Sequence, residues 1–287
     1  MNYTGYKMIY PMGAQMPLSN DFYTDTTLSA FYSDPATNWF DSLENQYLVI
    51  ADKDGKPVGE YKWDGHKYTR LRFKNIDNVF SGRIAPRNVQ QRMAFDMLQD
   101  DKTTVKVLTG CFGSGKTMLM VVHALDLISK EKFDKIVWVR NNIEVKDTTP
   151  LGALPGSAYE KLLPYVGPLA DHVGDIEGIE QLIERGQLEV QHLGYIRGRD
   201  IKNSIIISTE AENLTKQHVQ LLIGRVGEGS NLWMDADLKQ RDKTAFEKSA
   251  GLELMIERLK GQKLFGYIKL LKTERSETAR LADLLDD

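Results

Sequence analysis

The sequence predicts an α/β fold: a mostly parallel sheet with flanking helices, preceded by a small β-rich N-terminal segment. Three observations carry this expectation. After Pro86 short apolar runs alternate with helical stretches, the texture of strand–helix–strand units whose strands must lie parallel. The first of these runs passes directly into a glycine-rich loop, Gly110 to Thr117, that opens an apolar helix. Before Pro86, strand-like runs are separated by Asp-Gly turns, the punctuation of an antiparallel meander.

Taken in order, residues 1 to about 45 are rich in Tyr, Phe, Asn, Asp and Ser without sustained periodicity and read as an irregular or partly ordered lead segment. A three-stranded meander follows over Tyr47–Ala51, Val58–Trp63 and Lys67–Phe73, with turns at Asp54-Gly55 and Asp64-Gly65. In it the aromatics Trp63 and Tyr68 interleave with the cations Lys67, Arg70 and Arg72. That pattern suits base stacking with phosphate contact, and equally an ordinary packed face with a charged outer side. Strands are then expected over Val105–Thr109, Lys135–Arg140, Leu188–Leu193, Ser204–Thr209, Asn231–Met234 and Phe265–Lys272. Helices are expected over Asn88–Leu98, Thr117–Lys130, Glu177–Arg185 and Lys216–Arg225.

The chain of 287 residues is 41% hydrophobic, enough for one sizeable domain and a smaller appendage. A formal net charge of −3 provides no global attraction for nucleic acid, so any such binding must come from local basic clusters. No apolar run approaches the length needed to span a bilayer, and the start lacks the basic and apolar regions of a secretory signal. One cysteine builds no disulfide framework, and the 5 histidines show no zinc spacing. A cytoplasmic location without membrane contact is the expectation.

Gly110-Cys111-Phe112-Gly113-Ser114-Gly115-Lys116-Thr117 matches the Walker A pattern in full. The glycines let the loop turn its N–H groups onto phosphates, and the helix that follows presents the positive end of its dipole. Lys116 would reach the terminal phosphates, and the Thr117 hydroxyl would enter the Mg²⁺ shell. A P-loop NTPase using ATP and Mg²⁺ is implied, dividing the chain into an N-terminal segment, 1–85, and an ATPase domain, 86–287. Cys111 sits where a helix N-terminus favours a thiolate, although a small filler suffices to explain it.

Phosphate-loop proteins usually carry a buried strand ending in an acidic pair, Asp for the metal and Glu for the attacking water. Here the strand from Ser204 ends in Thr209-Glu210, so Glu210 is the candidate base and the aspartate is missing. Asp237, after the next apolar strand, is the expected substitute metal ligand. Arg197 and Arg199 follow the Leu188–Leu193 run and are expected on the same sheet edge, where guanidinium forks suit phosphate oxygens.

Together with Pro86-Arg87-Asn88 and Gln91, Leu154-Pro155-Gly156, Arg197-Gly198-Arg199, Glu210 to Thr215, Arg225-Val226-Gly227, and Asp237 with Gln240 and Asp242, the loop resembles the PhoH-like ATPases. These are P-loop proteins allied to the superfamily-one helicases. The resemblance covers Pro86 to Asp287; the family shows Asp-Glu-Ala-Gln-Asn where this chain has Thr209-Glu210-Ala211-Glu212-Asn213, and Gly-Asp at Ala236-Asp237. It implies that Gln91 reads the adenine edge, that Gln240 senses the γ-phosphate and that Arg275 acts as an arginine finger. It further implies a homo-oligomer, a hexamer by analogy, and ATP hydrolysis coupled to RNA or single-stranded DNA. The PIN nuclease module of some relatives is expected to be absent, with the meander as its connector. A nucleotide-dependent switch and a P-loop phosphotransferase are the alternatives.

Overall fold

The computed structural model describes residues 3–14, 22–78, 80, 82–140, 166–239 and 250–274. In chain order the small N-terminal part contains β1 (Tyr6–Pro11), β2 (Phe22–Tyr23), α1 (Asp25–Ser33), β3 (Tyr47–Ala51), β4 (Pro57–Trp63) and β5 (Tyr68–Arg70), then the β6 (Ile76–Asn78) and β7 (Gly82–Ile84) pair. The larger part runs α2 (Val89–Gln99), β8 (Val105–Gly110), α3 (Lys116–Ser129), β9 (Lys135–Arg140), α4 (Gly167–Val173), α5 (Ile176–Glu184), β10 (Leu188–His192), β11 (Ser204–Ser208), α6 (Lys216–Ile223), β12 (Asn231–Ala236), α7 (Gly251–Leu259) and β13 (Phe265–Leu270).

The central sheet has the order β10-β9-β11-β12-β8-β13, and every pairing is parallel. Such a sheet must be covered on both faces, because its crossovers lay helices on each side. The strands comply by period-2 alternation. Ile205, Ile207, Ile136, Trp138 and Leu108 enter one core with residues of α2, α3, α4 and α5. Ile206, Val137, Val139, Val107 and Met234 enter the other with α6 and α7. Each such buried side chain contributes about 1.5–3 kcal/mol. A one-residue slip would exchange both faces at once, so the register is well specified.

The six expected strands of this sheet are all present, displaced by at most a few residues at their ends. Differences lie elsewhere. The described part of the lead segment is the ordered one of the two alternatives: β1 pairs in parallel with β3, and α1 is capped by Thr24, whose hydroxyl accepts from Thr27 N–H at 3.1 Å. The meander is thereby widened to a five-stranded sheet of order β2-β1-β3-β4-β5. Helices α4 and α7 and the β6–β7 pair are further additions.

Of the two readings of the rings and cations in the meander, the structure has the packed face. Trp63 and Tyr68 are 7% and 4% exposed, with ring centroids 4.8 Å apart, inside a core shared with Phe31 and Tyr61. The Tyr68 hydroxyl donates to Asn38 Oδ1 at 2.7 Å. These rings have no free face for a base; their alternation with cations is that of a packed sheet with a charged outer side.

The two sheets are tied through named polar contacts. Tyr47 donates its hydroxyl to Asp96 of α2 at 2.8 Å, and Arg72 N–H donates to the other oxygen of the same carboxylate at 2.7 Å. Tyr47 N–H reaches Gly5 O at 3.0 Å, while Lys269 N–H of β13 reaches Thr4 O at 2.9 Å.

Lys106, near the start of β8, is wholly buried yet donates to Leu98 O at 3.0 Å and Asp100 O at 2.7 Å, the carbonyl-rich end of α2. Burial pushes its pKa down from 10.5 to about 7. Between those values the unfolded chain holds the proton and the folded chain releases it, so this group makes stability rise with pH. Urea unfolding at pH 7 and pH 9 is therefore expected to show a rise of about 1 kcal/mol per pH unit. Lys106→Met should lose that rise; an unchanged pH dependence would remove Lys106 as its source.

Candidate nucleotide-binding site

The site is built where β8 ends. Gly110 has φ 154, and a Cβ there would lie 2.2 Å from Leu270 O of β13, so the strand cannot enter the loop with any larger residue. Gly115, the α3 N-cap, has φ 88 and makes no side-chain cap, leaving the first N–H groups of α3 directed into the loop. Ser114 is buried and its hydroxyl donates to Cys111 O at 2.8 Å. Lys116 Nζ folds back on the loop, donating to Gly110 O at 2.8 Å and Cys111 O at 3.0 Å. Those carbonyls hold the ammonium inside the ring of N–H groups that surrounds a phosphate in such loops.

A cleft of about 470 Å³ opens over the loop, lined by Lys116 and Thr117, by Thr209, Glu210 and Glu212, by Asp235 and Asp237, and by Asp171 and His172 of α4. The carboxylate that meets Thr117 is Asp235, at the end of β12: the Thr117 hydroxyl donates to Asp235 Oδ2, and Glu210 N–H donates to Asp235 Oδ1 at 3.2 Å. Burial raises the Asp235 pKa, while the Thr117 hydroxyl and the Lys116 charge lower it in part. Glu212 is raised to about 7, again by burial first.

Glu210 stands in the left-handed region, φ 55 and ψ 40, an uncommon conformation for a side-chain-bearing residue. Its carboxylate pairs with Arg140, the last residue of β9. Sequence reasoning missed Arg140; the available signal was its place at the end of an apolar strand.

Several expected site residues are placed differently. Asp237 lines the cleft, but it is not the carboxylate on Thr117: its N–H donates to Glu212 Oε2 at 3.2 Å and its Oδ1 accepts from Lys239 N–H at 3.1 Å. Gln91 is 2% exposed and lies behind the loop, its Oε1 accepting from Arg87 N–H at 2.9 Å and its Nε2 donating to Ser114 O at 3.2 Å. It buttresses the loop instead of presenting an amide to a base. Arg199 pairs with Glu189, which also takes Lys135 at the start of β9, so this arginine serves the opposite end of the sheet from the loop. Arg197 is exposed and is absent from the cleft lining. Cys111 Sγ lies 3.3 Å from Thr273 Oγ1. Gln240, Arg275, Asp242 and Leu154-Pro155-Gly156 lie outside the described residues.

A strap closes the far side of the loop. Thr273 donates its hydroxyl to Phe112 O at 3.2 Å, Glu274 N–H donates to Gly113 O at 3.0 Å, and Asn88 Nδ2 donates to Glu274 Oε1 at 2.7 Å.

An all-parallel sheet flanked by helices, with a Walker A loop between its β8 strand and α3, is the P-loop NTPase fold. The model of the PhoH-like protein family matches residues 83–282, and the chain belongs to that family. It is 36% identical to Protein PhoH2 of Bacillus subtilis over 301 aligned residues, covering 99% of this chain and 64% of that protein. It is 32% identical to Protein PhoH2 of Mycolicibacterium smegmatis over 198 residues, 68% of this chain and 45% of that one. The PhoH-like protein of Bacillus subtilis is 36% identical over 168 residues, 58% of this chain and 52% of the relative. The chain thus spans less than two thirds of the length of these relatives. Family and fold make it a P-loop ATPase-like protein. No helix among the described residues is long and apolar enough to cross a membrane.

Proposed function

We propose that the chain binds ATP with Mg²⁺ in the cleft over Gly110–Thr117 and hydrolyses it in the cytoplasm. The observation that carries this reading is the convergence of Lys116, Thr117 and the buried carboxylate of Asp235 on one cleft that Glu210 also lines. Among the described residues no group of three or more His, Cys, Asp or Glu is placed to hold a metal unaided. That fits Mg²⁺, which keeps several waters and binds through one or two carboxylates plus the phosphates of the substrate. Bound there, the metal would neutralise charge on the transferred phosphoryl group.

The residues divide the work. Lys116 exchanges its two carbonyl partners for phosphate oxygens, Thr117 supplies a hydroxyl to the metal, and the α3 N-terminus faces the phosphates. Glu210 accepts the proton of the attacking water. Gln240 senses the γ-phosphate and Arg275 completes the charge stabilisation, both by resemblance. Coupling to RNA or single-stranded DNA and assembly into a hexamer are part of the same proposal, and they too rest on the family resemblance.

The test is steady-state ATP hydrolysis with and without single-stranded RNA and DNA. Turnover stimulated several-fold by one of them supports a helicase-like motor. Turnover indifferent to both removes the nucleic-acid half. ATP that is bound and never hydrolysed favours the nucleotide-dependent switch, a reading supported by the pairing of Glu210 with Arg140. ADP formed strictly with an acceptor metabolite would indicate a phosphotransferase.

A further inference from the structure

Position 209, where the family pattern has aspartate, is threonine here, and the structure shows what stands beside it. Strands β11 and β12 are parallel neighbours in the register Ser208↔Met234, so Thr209, the first residue beyond β11, follows on beside Asp235, the penultimate residue of β12. Both are 3% exposed and both line the cleft. Asp235 receives the Thr117 hydroxyl and, across the strand boundary, Glu210 N–H at 3.2 Å. The Thr209 hydroxyl is buried without a hydrogen-bond partner among the described residues.

We propose that the metal-side carboxylate of this site has moved one strand sideways, from position 209 to Asp235, with Thr209 as its neutral neighbour. The proposal rests on the ATP–Mg²⁺ reading above and adds which residue carries it. Two carboxylates at these adjacent buried positions would repel, so the site accommodates one acid and one neutral residue. Both positions line the same cleft, so an exchange between the neighbouring strands conserves the charge of the site. Asp237 does not fill the role, because its carboxylate caps Lys239 N–H and its backbone is held by Glu212.

The distinguishing experiment titrates a fluorescent ATP analogue at increasing free Mg²⁺, and again with the metal chelated, for wild type, Asp235→Asn, Asp237→Asn, Thr209→Asp and the double variant Thr209→Asp/Asp235→Thr. Asp235→Asn is expected to raise the Mg²⁺ concentration for half-effect by about tenfold or more. Its affinity without metal should be equal or tighter, because a negative charge near the phosphates is gone. Asp237→Asn should shift the Mg²⁺ response less than Asp235→Asn does, and Thr209→Asp alone should bring no gain. The double variant should recover most of the metal response. Melting curves confirm folding, and if Asp235→Asn does not fold, the double variant against Thr209→Asp carries the test. Wild-type Mg²⁺ dependence in Asp235→Asn, the loss appearing in Asp237→Asn, or no recovery in a folded double variant overturns the transfer. A wild-type protein that binds no nucleotide overturns the ATP reading and this proposal together.

Discussion

Lys116→Ala is expected to abolish tight ATP binding. In the structure the ammonium is already within the loop, held by two carbonyls, Gly110 O and Cys111 O. Phosphate oxygens displace those neutral acceptors, since an anion adds charge attraction to the hydrogen bond the ammonium already makes. Losing two of them, at about 1.5–3 kcal/mol each, corresponds to a fall in affinity of about a hundredfold or more. The fold should be little affected, because the freed carbonyls border a cleft open to water. Titration calorimetry with ATP reads the effect directly. Affinity within a few-fold of wild type would sink the assignment of the loop as the phosphate site.

Glu210→Gln should retain ATP binding and lose turnover by about 10²–10⁴-fold, the range for removing a general base. The variant preserves what the backbone does here: Glu210 N–H still donates to Asp235 Oδ1, and the left-handed φ of 55 is no harder for Gln than for Glu. What disappears is the carboxylate and its pairing with Arg140. Glu210 is 53% exposed, so the lost pair should cost little stability. Single-turnover hydrolysis with pre-bound ATP separates chemistry from binding. Residual turnover rising with pH through about 7 would shift the proton-accepting role to Glu212, whose carboxyl burial holds near that value.

The parts of the fold that were legible in the sequence are those where composition and geometry coincide. Strands covered on both faces, such as Ser204–Ser208 with every residue buried around three consecutive isoleucines, carry a short apolar run that stands out from its polar surroundings. β1 was not legible, because Tyr-Lys-Met-Ile-Tyr-Pro becomes a strand by pairing in parallel with residues 47–50, a long-range event with no local signature. α7 was missed for another reason: it begins at Gly251 after Ala250, without a side-chain cap to announce it.

The site divides in the same way. The phosphate loop is written as a contiguous spacing, whereas Asp235 and Arg140 belong to the site through the order of strands. The ends of β9, β11 and β12 are neighbours, a relation that sequence distance does not disclose. Gln91 shows a subtler limit, since one amide beside a phosphate loop reads the same whether it faces the ligand or props the loop from behind. In Trp63 and Tyr68 the alternation of rings and cations was real, and burial decided its meaning.

The bond between Lys269 N–H and Thr4 O joins residues from opposite ends of the described chain. Beside it, Tyr47 N–H holds Gly5, whose positive φ of 84 brings its α-carbon against Tyr267 O with no room for a methyl group. On the ribosome, the N-terminal sheet can therefore pair its own strands early, but its seam to the ATPase sheet waits until β13 has left the exit tunnel. This molecule carries a high contact order across that seam. Until β13 has been made, the edge of β8 that it will cover is an open strand awaiting its partner.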